Sequence, residues 1–295
     1  MALGYFLKRV KLFNPVLLKQ MNAVCFYVFF PALLFVNLYN SDIGSVIKSR
    51  VIPFAIIGVL VVFTILFILI PFIEKDNRKR GVMIQGLYRS NHILIGIPLI
   101  NSLFGGVQIG VISILISVIV PIFNILAVIS LEAFRGKKFS FFSIIKNCAK
   151  NPLIITVLAG FFFIITGIRF PPVITGTISN IAGIATTLAL IILGGTLEFS
   201  SLAGNAKQLI IVLTGRLVII PLTVIFTAVQ FGFRGPELAA LLAVFGSATT
   251  VSSYTMAVQM DGDGQLAGQI VALTSVFSMI TLFFAIVFMT PYLFA

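Results

Sequence analysis

Long apolar runs alternate with short polar turns from one end of this chain to the other. Nine of them are long enough to cross a hydrocarbon core as helices, which takes about 20 residues: residues 22–38, 51–73, 81–104, 107–131, 151–168, 178–197, 209–231, 236–260 and 266–292. Most are apolar throughout, broken only by Pro31, Pro53, Pro71, Pro121, Asn124, Gly194, Gly195 or Pro221. Two have polar interiors. The run 81–104 contains QGLYRSNHILIGIP, and the run 236–260 contains FGSATTVSSYT. Ahead of the first run, MALGYFLKRVK has an apolar stretch too short to span, with its charges following that stretch instead of preceding it as in a signal peptide. It reads as the tail end of a helix. The pattern predicts an all-α integral membrane protein, a single polytopic domain over residues 1–295 whose first helix is largely missing.

Composition sharpens this picture. Hydrophobic residues make up 59% of the chain and charged residues 9%, with mean hydropathy +1.17, which excludes a soluble domain. The net charge of +12 reads first as topology and not as a nucleic-acid surface, because Lys and Arg collect in cytoplasmic loops. Alternate loops hold fourteen basic residues, among them Lys75, Arg78, Lys79, Arg80, Arg135, Lys137, Lys138, Lys146 and Lys150, while the opposite loops hold only Lys48, Arg50, Arg169 and Arg234. This bias places the basic linker 133–146 in the cytoplasm and the C-terminus outside a cell membrane. Cys25 and Cys148 have no partner at metal or disulfide spacing, so neither a metal nor a cofactor is expected. One histidine, two separated cysteines and no acid in mid-span leave no constellation for an enzyme. Glu74, Glu132, Glu198, Glu237, Asp42, Asp76, Asp261 and Asp263 all fall at span ends or in loops.

An Arg at the centre of a bilayer costs about 2.5–3.5 kcal/mol on insertion scales, so the polar run at Gln85 to Pro98 needs a reason. An internal repeat supplies one. Sliding the chain by 158 positions pairs Asn22 with Asn180, Gly106 with Gly264, Gly110 with Gly268 and Ser117 with Ser275, and lays Ser90 and Asn91 on Ala248 and Thr249 in the other polar interior. An odd number of spans separates the two copies, so residues 1–132 and 147–295 form inverted repeats. Such repeats, each with a discontinuous helix, bind substrate near the midplane where the two breaks meet.

Asn91, Arg89, Ser90, Thr249, Thr250 and Ser253 are the expected substrate contacts, with the helices broken at Gly96, Pro98 and Gly246. Each has a plainer reading. Asn91 can be interhelical glue. Arg89 can snorkel toward the cytoplasmic side. The hydroxyls of Thr249, Thr250, Ser252, Ser253 and Tyr254 can bond their own backbone or coordinate a bare cation. His92 is the candidate for proton coupling. Gly194-Gly195 and Pro31 are expected to allow close packing and bending near the crossing.

The segments GYFLKRVKLFN, FYVFFPALLF and RSNHILIGIP, with the order of spans, resemble the auxin efflux carrier family of membrane transporters, in its prokaryotic malate or malonate permease-like branch. The resemblance covers essentially the whole chain. It implies ten spans in two inverted groups of five, arranged as in sodium/proton antiporters and bile acid symporters, and movement of small organic anions or auxin-like acids. The chain departs from that pattern at Phe245-Gly246, where the family usually has a proline, often as Met-Pro. The expected function is a secondary active carrier for a small organic anion working by alternating access. A sodium-coupled acid symporter or a cation exchanger on the same scaffold is the alternative. The expected partners are the anion, H+ or Na+, and the lipid bilayer, with a homodimer allowed and nucleic acid not expected.

Overall fold

The apolar runs can satisfy their backbone in lipid only as helices. A computed structural model describes residues 1–40, 50–104, 109–135, 141–197 and 202–294, and these form helices joined by short turns, with no strand among the described residues. Lys48, Asp42, Gly106, Lys137, Lys138 and Glu198 lie outside the described residues.

The helices are α1 (Ala2–Arg9), α2 (Pro15–Tyr39), α3 (Val51–Ile73), α4 (Asn77–Tyr88), α5 (His92–Phe104), α6 (Ile109–Ala133) and α7 (Phe141–Lys150). After them come α8 (Pro152–Thr166), α9 (Pro172–Thr196), α10 (Ala203–Gln230), α11 (Gly235–Gly246), α12 (Ser252–Gln259) and α13 (Gly264–Leu293). Six of these, α2, α3, α6, α9, α10 and α13, are long and apolar enough to cross a membrane, and α7 with α8, bent by 65° at their junction, makes a seventh. The two remaining expected spans are the broken pairs α4–α5 and α11–α12.

Caps fix the helix starts. Asn14 Oδ1 accepts from Leu17 N–H at 2.7 Å and Pro15 supplies a fixed φ, so α2 begins seven residues earlier than its apolar run suggests and takes in Lys19. Asn151 Oδ1 takes the Leu153 N–H at 3.0 Å to start α8, and Asp263 Oδ1 takes the Leu266 N–H at 2.9 Å to start α13. Helix α8 ends at Gly167, whose φ of 69° is left-handed. In α2 and α10 a wide π-turn, Cys25–Phe29 and Gly215–Ile219, precedes Pro31 and Pro221, which lack the N–H that would reach Tyr27 and Leu217.

The basic linker is shorter than its sequence suggests. Lys146 and Lys150 sit on α7 together with the exposed apolar Phe142 and Ile145, and the segment from residue 141 is an amphipathic helix. The Gly194-Gly195 pair also differs from expectation. Gly194 meets the Met1 carbonyl, and a side chain on Gly4 would run into the Ile191 carbonyl, so these glycines bring α1 against α9 and not the broken helices together.

Loops sort into two ends. Arg78 Nε donates to the Asp261 carbonyl at 3.2 Å, Arg135 pairs with Asp261 at 2.8 Å, and Lys79 Nζ donates to Asn205 Oδ1 at 2.8 Å. At the other end Arg50 donates to the Phe231 carbonyl and Arg169 to that of Tyr39. This is the alternation of loops that the basic residues suggested. The 158-residue shift also carries position 77 onto 235 and position 88 onto 246, both ends of α4 onto both ends of α11.

In α3, the most apolar span, side chains such as Ile57, Leu69 and Phe72 face outward, whereas Gly81–Tyr88 of α4 and Leu238–Gly246 of α11 are buried without exception. Helix α3 thus lies on the outside, and α4 and α11, the first halves of the two broken pairs, are buried inside.

Candidate functional site

Helix α4 stops at Arg89 and α11 stops at Ser247, both with extended backbone (φ −77°, ψ 142° and φ −76°, ψ 164°). Residues 89–91 and 247–251 then run past each other, and Asn91 N–H donates to the Ala248 carbonyl at 2.7 Å. Breaking a helix in an apolar interior strands its last four carbonyls. At α4 all four are answered: Gln85 O by the Arg89 N–H, Gly86 O by Thr249 Oγ1 at 2.7 Å, and Leu87 O and Tyr88 O by Arg216 Nη1, each at 3.3 Å. At α11, Ser247 Oγ covers Ala243 O at 2.6 Å, and Arg216 covers Val244 O and Ser247 O through Nη2 at 3.3 and 2.7 Å, with Nε also on Ser247 O at 3.0 Å. Arg216, on the π-turn of α10 and 0% exposed, thus holds the carbonyl ends of both broken helices.

Gly96 and Pro98 do not form the break. Both lie inside α5, and the chain opens at 89–91 ahead of them. Pro98 removes only the bond to Leu94 O, loosening the first turns of α5. Gly96 gives close approach, since a Cβ there would meet Ile112 at 2.9 Å and Ala243 Cβ at 3.1 Å. Gly246 is the last residue of α11, directly before the second break.

Arg89 is 1% exposed, so it does not snorkel to an interface. Its Nη2 donates to Ser252 Oγ at 2.8 Å and Asn124 Oδ1 at 3.0 Å, and its Nη1 to Met256 Sδ at 3.0 Å and Gln85 Oε1 at 3.4 Å. No carboxylate is among these partners, and its Nε has no acceptor. Beside it lies a cavity of about 80 Å³, lined by Arg89, Ser90, Asn91, Asn37, Asn124, Thr250 and Ser252, with Phe30, Phe123 and Val251 among its apolar walls. The Asn37 amide nitrogen, also buried, has no acceptor either. Helices α5 and α12 begin at this cavity, so the positive ends of two helix dipoles meet there.

Of the residues singled out from the sequence, Arg89, Ser90, Asn91, Thr250 and Ser252 come together on the cavity. Thr249, Ser253 and His92 do not line it. Thr249 is buried in the crossing, its Oγ1 donating to Gly86 O and its N–H donating to Thr274 Oγ1 at 3.2 Å. Ser253 faces away, its carbonyl accepting from Gln85 Nε2 at 3.0 Å. His92 is buried against Phe123 with Nδ1 2.9 Å from Ser90 Oγ, and its Nε2 has no partner. A second, wider cavity of about 340 Å³, lined by Thr196, Tyr254, Val258 and Gly268, lies on the other side of α12. Helix α12 thus contributes to both cavities, Ser252 to the first and Tyr254 and Val258 to the second.

Sequence reasoning missed Arg216 and Asn37. Arg216 sits inside the apolar run 209–231, and an ionisable residue within a span is itself a signal. Asn37, near the end of the first run, carried no such mark.

Residues 1–286 match the family of membrane transport proteins. The chain is also 24% identical, over 288 residues covering 95% of it and 92% of the relative, to an uncharacterised transporter of Methanothermobacter thermautotrophicus. With two broken helices among apolar spans and a match over nearly its whole length, this chain belongs to the membrane transport protein family, the auxin efflux carrier family that its sequence resembles.

Proposed function

We propose that the protein is a secondary carrier for a small organic anion, which binds in the cavity beside Arg89 and is passed across α12 by alternating access. The observation that carries this reading is a pair of buried donors, Arg89 Nε–H and the Asn37 amide, that find no acceptor at the same cavity. Buried donors are costly when unpaired, and carboxylate oxygens answer them while neutralising an Arg that has no acid partner. Residues 1–132 and 147–295 would act as inverted repeats around this site, with the end of the molecule that holds Arg78 and Arg135 in the cytoplasm and the C-terminus outside a cell membrane.

A sodium-coupled form of the same carrier is favoured by one observation. Asn22 Oδ1, Ser253 Oγ and Thr255 Oγ1 are buried without partners around α12, and oxygens of this kind suit a bare cation.

The test is a panel of C3 to C6 dicarboxylates and aromatic acids, screened for thermal stabilisation of the purified protein and then for uptake into proteoliposomes with and without Na+. A true ligand at 100 times its Kd stabilises by about 2.7 kcal/mol. Arg89→Gln is expected to remove both the stabilisation and the uptake. Stabilisation by neutral solutes or cations alone, with no response to any carboxylate, would overturn the reading.

A further inference from the structure

We propose that Arg216 is a positioning residue that sets the charge selectivity of the site, a reading that rests on the anion site above and extends it. The accounting at the crossing is one-sided. A helix ends in partial negative charge and begins in partial positive charge. Where two broken helices cross, four such ends converge: the carbonyl ends of α4 and α11 and the amide ends of α5 and α12. Arg216 lies on the two negative ends, with five donor contacts to the carbonyls of Leu87, Tyr88, Val244 and Ser247. Among the described residues no acidic side chain lies on the two positive ends: the carboxylates are at span ends and turns, and the ion pairs of Arg135 with Glu132 and Asp261 lie away from the crossing.

The negative poles are thus answered by a charged residue of the protein, whereas the positive pole of α12 meets only its own turn, Ser253 N–H to Thr250 O at 3.0 Å and Tyr254 N–H to Val251 O at 3.1 Å, with no side-chain cap. Arg89, 1% exposed and with Nε unpaired, adds to the open positive side. A solute entering the cavity meets two helix N-termini and a guanidinium, with the balancing carbonyls already taken. Arg216 itself does not line the cavity. It acts through the backbone it holds, and because its contacts go to both broken helices it also keeps the strands 89–91 and 247–251 in register, where Asn91 N–H meets Ala248 O.

The experiment compares wild type, Arg216→Gln and Arg216→Lys in detergent and in proteoliposomes, with sodium malonate as the anion probe. Malonamide is its neutral counterpart, and sodium chloride controls for ionic strength. Two quantities are read: the malonate concentration that half-saturates thermal stabilisation, and the hydrogen-exchange rate of the Asn91 amide. Arg216→Lys keeps the charge without the planar fork, and is expected to keep the malonate response near wild type while exchange at Asn91 quickens part of the way, because one ammonium cannot reach all four carbonyls. Arg216→Gln is expected to weaken the malonate response by about tenfold or more, to leave the small malonamide response unchanged, and to speed exchange at Asn91. A merely structural role would lower the folded fraction equally for both probes.

Arg216→Gln with wild-type malonate affinity and a protected Asn91 amide overturns the proposal. So does a folded Arg216→Lys that loses the malonate response as completely as Gln, because charge would then not be what matters. If Arg216→Gln does not fold, Arg216→Lys decides alone. If no anion stabilises wild type, the anion reading has failed separately, and Asn91 exchange in the two variants still decides whether Arg216 holds the crossing.

Discussion

Arg89 and Arg216 invite comparison because they are alike in nearly everything except what their donors reach. Both are buried to within 1% of complete, both belong to or touch the broken helices, and neither pairs with an acid. Arg216 spends its donors on backbone carbonyls that the fold had to satisfy somehow. Arg89 reaches side chains, one of them a thioether sulfur, and still has an N–H to spare beside a cavity. A buried cation saturated by its own fold is part of the architecture, and the one with a donor to spare at a cavity is the one proposed to meet the ligand.

The largest effect that separates them is on stability. Replacing Arg216 with Met leaves the carbonyls of Leu87, Tyr88, Val244 and Ser247 short of donors in the interior, and is expected to cost about 3 kcal/mol or more. Replacing Arg89 with Met removes an uncompensated buried charge whose partners are hydroxyl, amide and sulfur groups. It is expected to change stability by about 1 kcal/mol or less, in either direction. Urea unfolding of the two variants in the same detergent measures both. If Arg89→Met is the more damaging, the division between architectural and ligand-facing arginines fails.

The next effect is on transport and separates the two polar neighbours at the crossing, Asn91 and Thr249. Asn91→Ala keeps the backbone bond to Ala248 O but removes an amide from the cavity wall, and is expected to abolish carboxylate uptake while the protein still inserts and folds. Thr249→Val loses the bond to Gly86 O, one of the four stranded carbonyls, and is expected to cost about 1–3 kcal/mol in stability with substrate affinity retained. Uptake in proteoliposomes, beside unfolding curves for the same preparations, distinguishes them. Normal flux through Asn91→Ala would remove it from the site.

The same pair shows how far the sequence could be read. That residues 81–104 and 236–260 were broken helices was legible, because polar residues are expensive in lipid and appear twice at one offset. Which hydroxyls face the cavity was not legible. In an opened backbone no helical period relates Thr249 to Thr250, and neighbouring residues take opposite roles, one buried in the crossing and one on the cavity. The position of the break was misread for a related reason. Gly96 and Pro98 look like helix breakers, yet α4 ends at Arg89 because Thr249 and Arg216 supply donors for its last carbonyls, partners brought in from far along the chain. Arg216 was overlooked because counting basic residues by loops leaves no place for one inside a span, although the absence of any acid nearby already marked it as needing carbonyl partners.

The smallest expected effect belongs to His92, and it tests whether adjacency to the cavity is enough to confer function. His92 is next to Asn91 in sequence, but its ring lies edge-on to Phe123 and bonds Ser90 Oγ, and the residue does not line the cavity. A residue that carried the coupling proton would make uptake depend on pH through its own titration, with flux changing as the ring gains a proton, and His92→Gln would flatten that profile. His92→Gln can replace the bond to Ser90 with its amide, so uptake is expected to stay within about twofold of wild type with the shape of the pH profile unchanged. Proteoliposome uptake between pH 5 and 8, a range that brackets an ordinary imidazole, gives the answer. A flat profile in the variant against a sloping one in wild type would assign proton coupling to His92, and would show that a group one hydrogen bond behind the cavity wall can still move its charge.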